Sequence, residues 1–288
     1  MSPNNRSNPR PTHSIKTGVL ILVFMAVATA AAETPPEIRA MVKKSLSGIN
    51  REDDIKDSYL FRVHTDRREF DSNGKELSRK WWIVEREVID GVLVGRVRER
   101  DGKPIPAEEH TRQEETIRKH VAAEKAKKAT QNREERRPGK EDEAWIQEFP
   151  EALDYKIVGE ESINGRPALV LDFVPRPGYR PTSLRGRFFE KARGRVWIDK
   201  AELEMVRTEA EIFDTISIGF GVAGKLYKGT TVRLVRRRVG NAVWLTEDQH
   251  FRFNARVMLV KTVNRQVAVK FTDFRLRPDR APMAKDSR

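Results

Sequence analysis

Two dipeptides, Asp90-Gly91 and Asn164-Gly165, constrain what this chain can fold into more than anything else in it. The first separates RKWWIVEREVI from VLVGRVRER, and the second separates YKIVGEESI from RPALVLDFVP. Asp or Asn followed by Gly accepts the two positive φ angles of a two-residue hairpin turn, so each dipeptide predicts a pair of antiparallel strands. Tyr59, Phe61 and Val63 alternate with Leu60, Arg62 and His64, and Asp71 to Gly74 (DSNG) supplies another turn. Residues 58–100 therefore read as an antiparallel meander.

Strand spacing resumes at Tyr155 and continues to Phe274. After the second hairpin, Pro175, Pro177, Gly178 and Pro181 mark a loop that cannot lie inside a sheet. GRVWIDKAELEMVRTE, residues 194–209, is two extended runs around a short charged turn. TISIGFGVAG, GTTVRLVRRRVG, NAVWLTEDQHFRF, ARVMLVKTV and RQVAVKFTDFRL follow. Turn signals this frequent predict an all-β sandwich or barrel.

Two stretches depart from that pattern. Between Glu33 and Asn50, Ile38, Met41, Val42 and Leu46 fall at helical spacing, which predicts an amphipathic first helix. Residues 106–149 form a helical insertion whose first part, Pro106 to Arg137, is dominated by Glu, Lys, Arg and Ala. There Ile117 and Val121 stand one turn apart but little extends that stripe, and a helix polar all round is expected to be a solvent-exposed arm. Pro138-Gly139 ends it, and Ala144, Trp145, Ile146 and Phe149 offer a second helix a patch to dock with.

The chain begins with Arg6, Arg10 and Lys16, no acid, then the apolar GVLILVFMAVA and a run of small residues ending at Ala32. That is the pattern of a secretory signal peptide, residues 1–32, with cleavage expected near Ala32 and a periplasmic destination. Residues 33–277 are expected to form the folded domain, and 278–288, with Pro278 and Pro282, a disordered tail. The formal net charge is +13. In an exported protein such a field favours phospholipid headgroups or other envelope anions over nucleic acid. With no cysteine, thiolate metal sites, a cysteine nucleophile and a lipid-modified cysteine are all excluded.

Motifs for chemistry are weak. Gly219, Gly221 and Gly224 in GFGVAGKL match a dinucleotide-loop spacing, but the sequence continues as strand, where a phosphate site needs a helix N-terminus. His110 and His120 lie ten positions apart, about 15 Å along a helix, too far for one metal. Neither a zinc-protease motif nor a serine nucleophile elbow is present. No catalytic residue, metal or cofactor is expected. The aromatic residues say more: Trp82, Trp197, Phe220 and Trp244 are candidates to line an apolar cavity, each with plain sheet core as the alternative. Arg233, Arg236, Arg237 and Arg238 in RLVRRRVG are surface candidates, either a solvated outer strand or a docking patch for anionic lipid or protein.

The order of parts, together with RVWIDKAELEMVRTEAEI, KGTTVRLVRRRVGNAVWL and the closing VKFTDFRL, resembles the LolA/LolB-like superfamily of bacterial envelope proteins. The resemblance implies a mainly β, α+β fold: a half-open antiparallel β-barrel with an N-terminal amphipathic helix and a charged helical insertion. It also implies a non-catalytic periplasmic carrier holding the acyl chains of a lipid or lipoprotein. The alternative is an envelope interaction or stress-sensing module that binds a partner protein.

Overall fold

Two-residue turns do set the register of the first half of the molecule. Asp90 and Gly91 adopt φ of 51° and 74°, and Asn164 and Gly165 adopt 50° and 77°, the paired positive angles of the expected hairpin turns. The computed structural model describes residues 33–130, 141–183, 185–218, 224–240, 243–257 and 261–280. The expected signal peptide of residues 1–32, Phe220 and residues 281–288 of the expected tail lie outside the described residues.

Helix α1 (Pro36–Lys56) leads into strands β1 (Tyr59–Phe70), β2 (Glu76–Ile89), β3 (Val92–Arg100) and the short β4 (Lys103–Pro104). Helices α2 (Ala107–Thr130) and α3 (Glu141–Ala152) follow, then β5 (Leu153–Ile163) and β6 (Arg166–Pro175). A 3-10 turn at Arg185–Lys191 precedes β7 (Ala192–Asp199), β8 (Met205–Ile212), β9 (Ile216–Ile218) and β10 (Gly224–Leu226). Strands β11 (Thr231–Val239), β12 (Val243–Val257) and β13 (Lys261–Leu276) complete the described elements. The run NAVWLTEDQHFRF continues into ARV as one strand, so ARVMLVKTV is divided between β12 and β13 rather than forming a strand of its own.

All described pairings are antiparallel, in the order β4-β3-β2-β1-β13-β12-β11-β8-β7-β6-β5, with β10 beside β12 and β9 beside β10. The first strand pairs with the last, from Tyr59 opposite Leu276 to Glu69 opposite Arg265. Strands β4 and β5 are the two ends of that path and do not pair with each other. The sheet is open, and the fold is mainly antiparallel β with a few packed helices.

Alternation sorts the strands into two faces. Leu171, Phe173, Val196 and Ile198 face the helices and form the main core with Val42 and Leu46 of α1 and Phe149 of α3. Helix α1 runs past the expected Asn50 to Lys56. Arg39 ties its first turns to the α3–β5 junction through the Leu153 carbonyl (3.2 Å) and the Asp154 carboxylate (3.2 Å). The charged turn between β7 and β8 is closed by the Asp199 carboxylate, which accepts the N–H groups of Ala201 (3.0 Å) and Glu202 (2.8 Å). Asp199 also takes both arms of the Arg166 guanidinium, at 2.7 and 2.9 Å. Burial alone would raise its pKa, but these bonds hold it below the ordinary aspartate value.

Helix α2 is not a free arm. Ile117 and Val121 are buried against Val92 and Val94 of β3, so two residues one turn apart suffice to seat it. The Gln113 side chain accepts the Val97 N–H (2.8 Å) and donates to the Val97 carbonyl (3.2 Å). One amide thus takes the place of a neighbouring strand along the outer edge of β3, where unpaired backbone groups would invite pairing with another chain.

Candidate ligand-binding cavity

On the face away from the main core, charged residues line up across the sheet. Asp172 stands opposite Arg195, Arg195 opposite Glu209, and Glu209 opposite Arg233. The row continues through His250 and Ala268 to Asp66. The side-chain period of two that buries Phe173 and Val196 on one face places these residues on the other. A parallel row runs from Arg193 and Glu211 through Thr231, Arg252 and Gln266 to Arg68.

Both rows line a cavity of about 1070 Å³ that spans seven strands. Val174 and Ala268 share the charged face, and Phe173, Ala210, Val232, Phe251 and Val267 border the cavity along the same strands with side chains that alternate to the other face. A smaller cavity of about 290 Å³ shares Asp66, His250 and Ala268 with it and adds His64, Trp81 and Lys270.

The charges are largely held in pairs. Arg195 donates to Asp172 at 2.6 Å, and the Asp172 carboxylate raises the Arg195 pKa. Arg233 lies 3.2 Å from Glu209 and 3.4 Å from Asp248, and His250 lies 2.9 Å from Asp248. Asp66 is bonded by Arg79 at 2.6 Å and Arg68 at 3.3 Å. Its partial burial acts to raise its pKa, yet those two guanidiniums bring it below the usual aspartate value. Such a lining offers guanidinium and carboxylate forks to a polar head, and the aliphatic stems of its arginines with Val174 and Ala268 to carbon. Among the described residues no cluster of three or more His, Asp or Glu is arranged to hold a metal ion.

The candidates read from sequence fall elsewhere. Trp197 and Trp244 are 2% and 6% exposed and pack together with Ala168, Val170 and Val206. Their indole N–H groups donate to Glu161 (2.9 Å) and Glu202 (2.7 Å), which satisfies the one polar atom each ring carries. Trp82 is half-buried on β2, with the Arg67 guanidinium 5.9 Å from its ring centre. None of the three lines the large cavity. Of the basic candidates, Arg233 lines it, while Arg237 pairs on the surface with Glu247 (3.2 Å) and Arg238 with Glu202 (2.9 Å).

Arg236 requires a correction. It is 5% exposed, not a surface cation, because helix α1 and the turn before strand β8 supply it with carboxylates inside the fold. Its guanidinium donates to Glu52 (2.9 Å), Glu204 (3.1 Å) and the carbonyls of Met205, Gly48 and Trp244. The lining residues that sequence reading passed over did leave a signal. Arg193 and Arg195, Glu209 and Glu211, and Arg233 with Thr231 repeat every second position in successive strands, and only the register shows that they meet.

No protein-family model matches the chain, and no curated protein sequence does. Among solved structures, a domain named for outer membrane lipoprotein sorting from Vibrio parahaemolyticus is 10% identical. That alignment covers 82% of this chain and 94% of that one, with a TM-score of 0.33. A DUF1329 family protein from Desulfovibrio piger is 14% identical over 84% of this chain and 93% of its own, with a TM-score of 0.29. A LolA superfamily protein from Nitrosomonas europaea is 12% identical over 82% of this chain and 96% of its own, with a TM-score of 0.27. The solved structures that this chain resembles thus include LolA superfamily and lipoprotein-sorting domains.

Proposed function

We propose that the protein is a periplasmic binding protein for lipid or lipoprotein acyl chains, and that it carries its ligand without transforming it. The observation that supports this most is the cavity of about 1070 Å³, which spans seven strands, is lined by two charged rows and is bordered by the apolar residues Val232, Phe251 and Val267. Its volume is that of a site for a lipid-sized ligand. Burying an acyl chain there is worth about 0.8 kcal/mol per methylene. The flanking guanidiniums and carboxylates are suited to the head, and the leader of residues 1–32 fits an exported carrier.

Native mass spectrometry beside solvent extraction of the purified protein tests the reading. Lipid retained at near-stoichiometric level is expected. A protein that stays empty after incubation with membrane lipids overturns it.

That second outcome would favour partner binding. Strand β5 ends the sheet with its outer edge open, and Ile157 and Val158 on it are each 44% exposed. An exposed strand edge of this kind accepts an added strand from another protein.

A further inference from the structure

The cavity's charges do not balance everywhere. Toward β6, β7 and β8 every lining guanidinium has its acid: Arg195 has Asp172, Arg193 has Glu211 (3.4 Å), and Arg233 has Glu209. Toward β1 and β13 the balance fails. Thr231, Arg252, Gln266, Arg68 and Arg79 stand opposite one another in turn across five strands, every one a hydrogen-bond donor. Arg68 and Arg79 share the single carboxylate of Asp66. Arg252 has no carboxylate partner among the described residues. Its guanidinium lies 3.1 and 3.3 Å from the Gln266 side-chain amide, which satisfies both groups when its oxygen is turned toward Arg252 and its NH2 is left as a further donor.

We infer that Arg252, Gln266 and Arg68, with Thr231 and Arg79 at either end of their row, form a subsite for a phosphate-type oxyanion within the cavity. Directly opposed residues on neighbouring strands lie about 5 Å apart, so the two guanidiniums reach one anion from either side of Gln266. Planar guanidinium forks match tetrahedral oxyanions through paired N–H···O bonds. The site's net positive charge is uncompensated by protein, so an anion gains more here than at the paired end. Val174 and Ala268 lie on the same face of the sheet as the row and border the same cavity. The inference rests on the lipid-binding reading only if the phosphate is a lipid headgroup; a free phosphate would bind by the same chemistry.

The test offers the purified full-length protein vesicles of phosphatidylglycerol and digalactosyldiacylglycerol, a bilayer lipid without phosphate, in equal amounts. Native mass spectrometry then reads which lipid is retained. A separate titration uses inorganic phosphate alone, followed by arginine side-chain NMR. Phosphatidylglycerol is expected to be preferred by about tenfold or more, as charged hydrogen bonds imply. The preference should vanish in the Arg68→Gln, Arg252→Gln double variant while total lipid retained is unchanged. Arg237→Gln, on the surface outside the cavity, should keep it, and Arg252→Lys should restore part of it.

Saturable phosphate binding without lipid retention, lost in the double variant, would assign the subsite to free phosphate and overturn the lipid reading alone. Lipid retention without headgroup preference, and without a phosphate response, would overturn the subsite and leave the carrier reading standing. Preference that survives in the double variant would also overturn the subsite.

Discussion

Arg236 of β11 and Glu52 of α1 lie 184 positions apart in sequence and 2.9 Å apart in space, both buried. Glu52 uses its second oxygen to accept the Thr246 N–H of β12, so one carboxylate fastens the helix to two strands. Glu204 completes the cluster and reaches outward to Arg51 at 2.8 Å. The cluster satisfies every polar atom it is known to bury, and its members are interdependent.

Replacing Arg236 with Met should therefore destabilise the fold by about 3–5 kcal/mol, because Glu52 is left as an uncompensated buried charge and Glu204 keeps only Arg51. Urea unfolding measures the loss. Combining Arg236→Met with Glu52→Gln should cost clearly less than the sum of the two single changes. Strict additivity would show that the ion pair contributes nothing.

Acid should loosen the segment after β6 through Glu148. This carboxylate accepts the Tyr179 hydroxyl at 2.7 Å and the N–H groups of Thr182 and Ser183 at 2.9 Å each. Burial works to raise its pKa, and these bonds outweigh it and hold it below the usual glutamate value of 4.5. A carboxylate lowered in the folded state contributes stability in full above its unfolded pKa and loses it as pH falls through the folded value. Glu148→Gln should lower stability at neutral pH and remove part of the acid-side slope. A variant with the same slope as the parent would count against this assignment.

Gln113→Ala should expose the edge of β3. The Val97 amide is expected to exchange with deuterium faster, with a stability cost of about 1–3 kcal/mol for the unsatisfied backbone groups. Unchanged exchange at Val97 would mean that α2 shields the edge without the side-chain bonds.

Trp197→Ala should cost about 3–5 kcal/mol of stability, the effect of emptying a packed site. Lipid retained per folded molecule should stay the same, because the ring lies outside the cavity. Loss of lipid with stability intact would return Trp197 to the lining.

Much of the sheet was legible because its signals are local. Asp90-Gly91 and Asn164-Gly165 specify their turns whatever surrounds them, and β1 to β3 follow from alternation alone. The candidate site was not legible, because it depends on which strands become neighbours. Arg236 reads as one of four surface arginines in RLVRRRVG, and nothing near it in sequence announces Glu52 as its partner. Arg252, Gln266 and Arg68 meet only because β13 lies between β12 and β1. Helix α2 misled for a related reason: a seam of two apolar residues is too narrow to register as an amphipathic pattern.

The pairing of β1 with β13 has a consequence for timing. Strands β1 to β4 can form hairpins early, but their only described strand pairing to the rest of the sheet is to the last strand made. The chain cannot complete its hydrogen-bond network until residue 276 has emerged, and contacts spanning that much sequence form slowly. A protein built this way stays unfinished for as long as β13 is held back, and its sheet closes on the first strand only when the last described one is released.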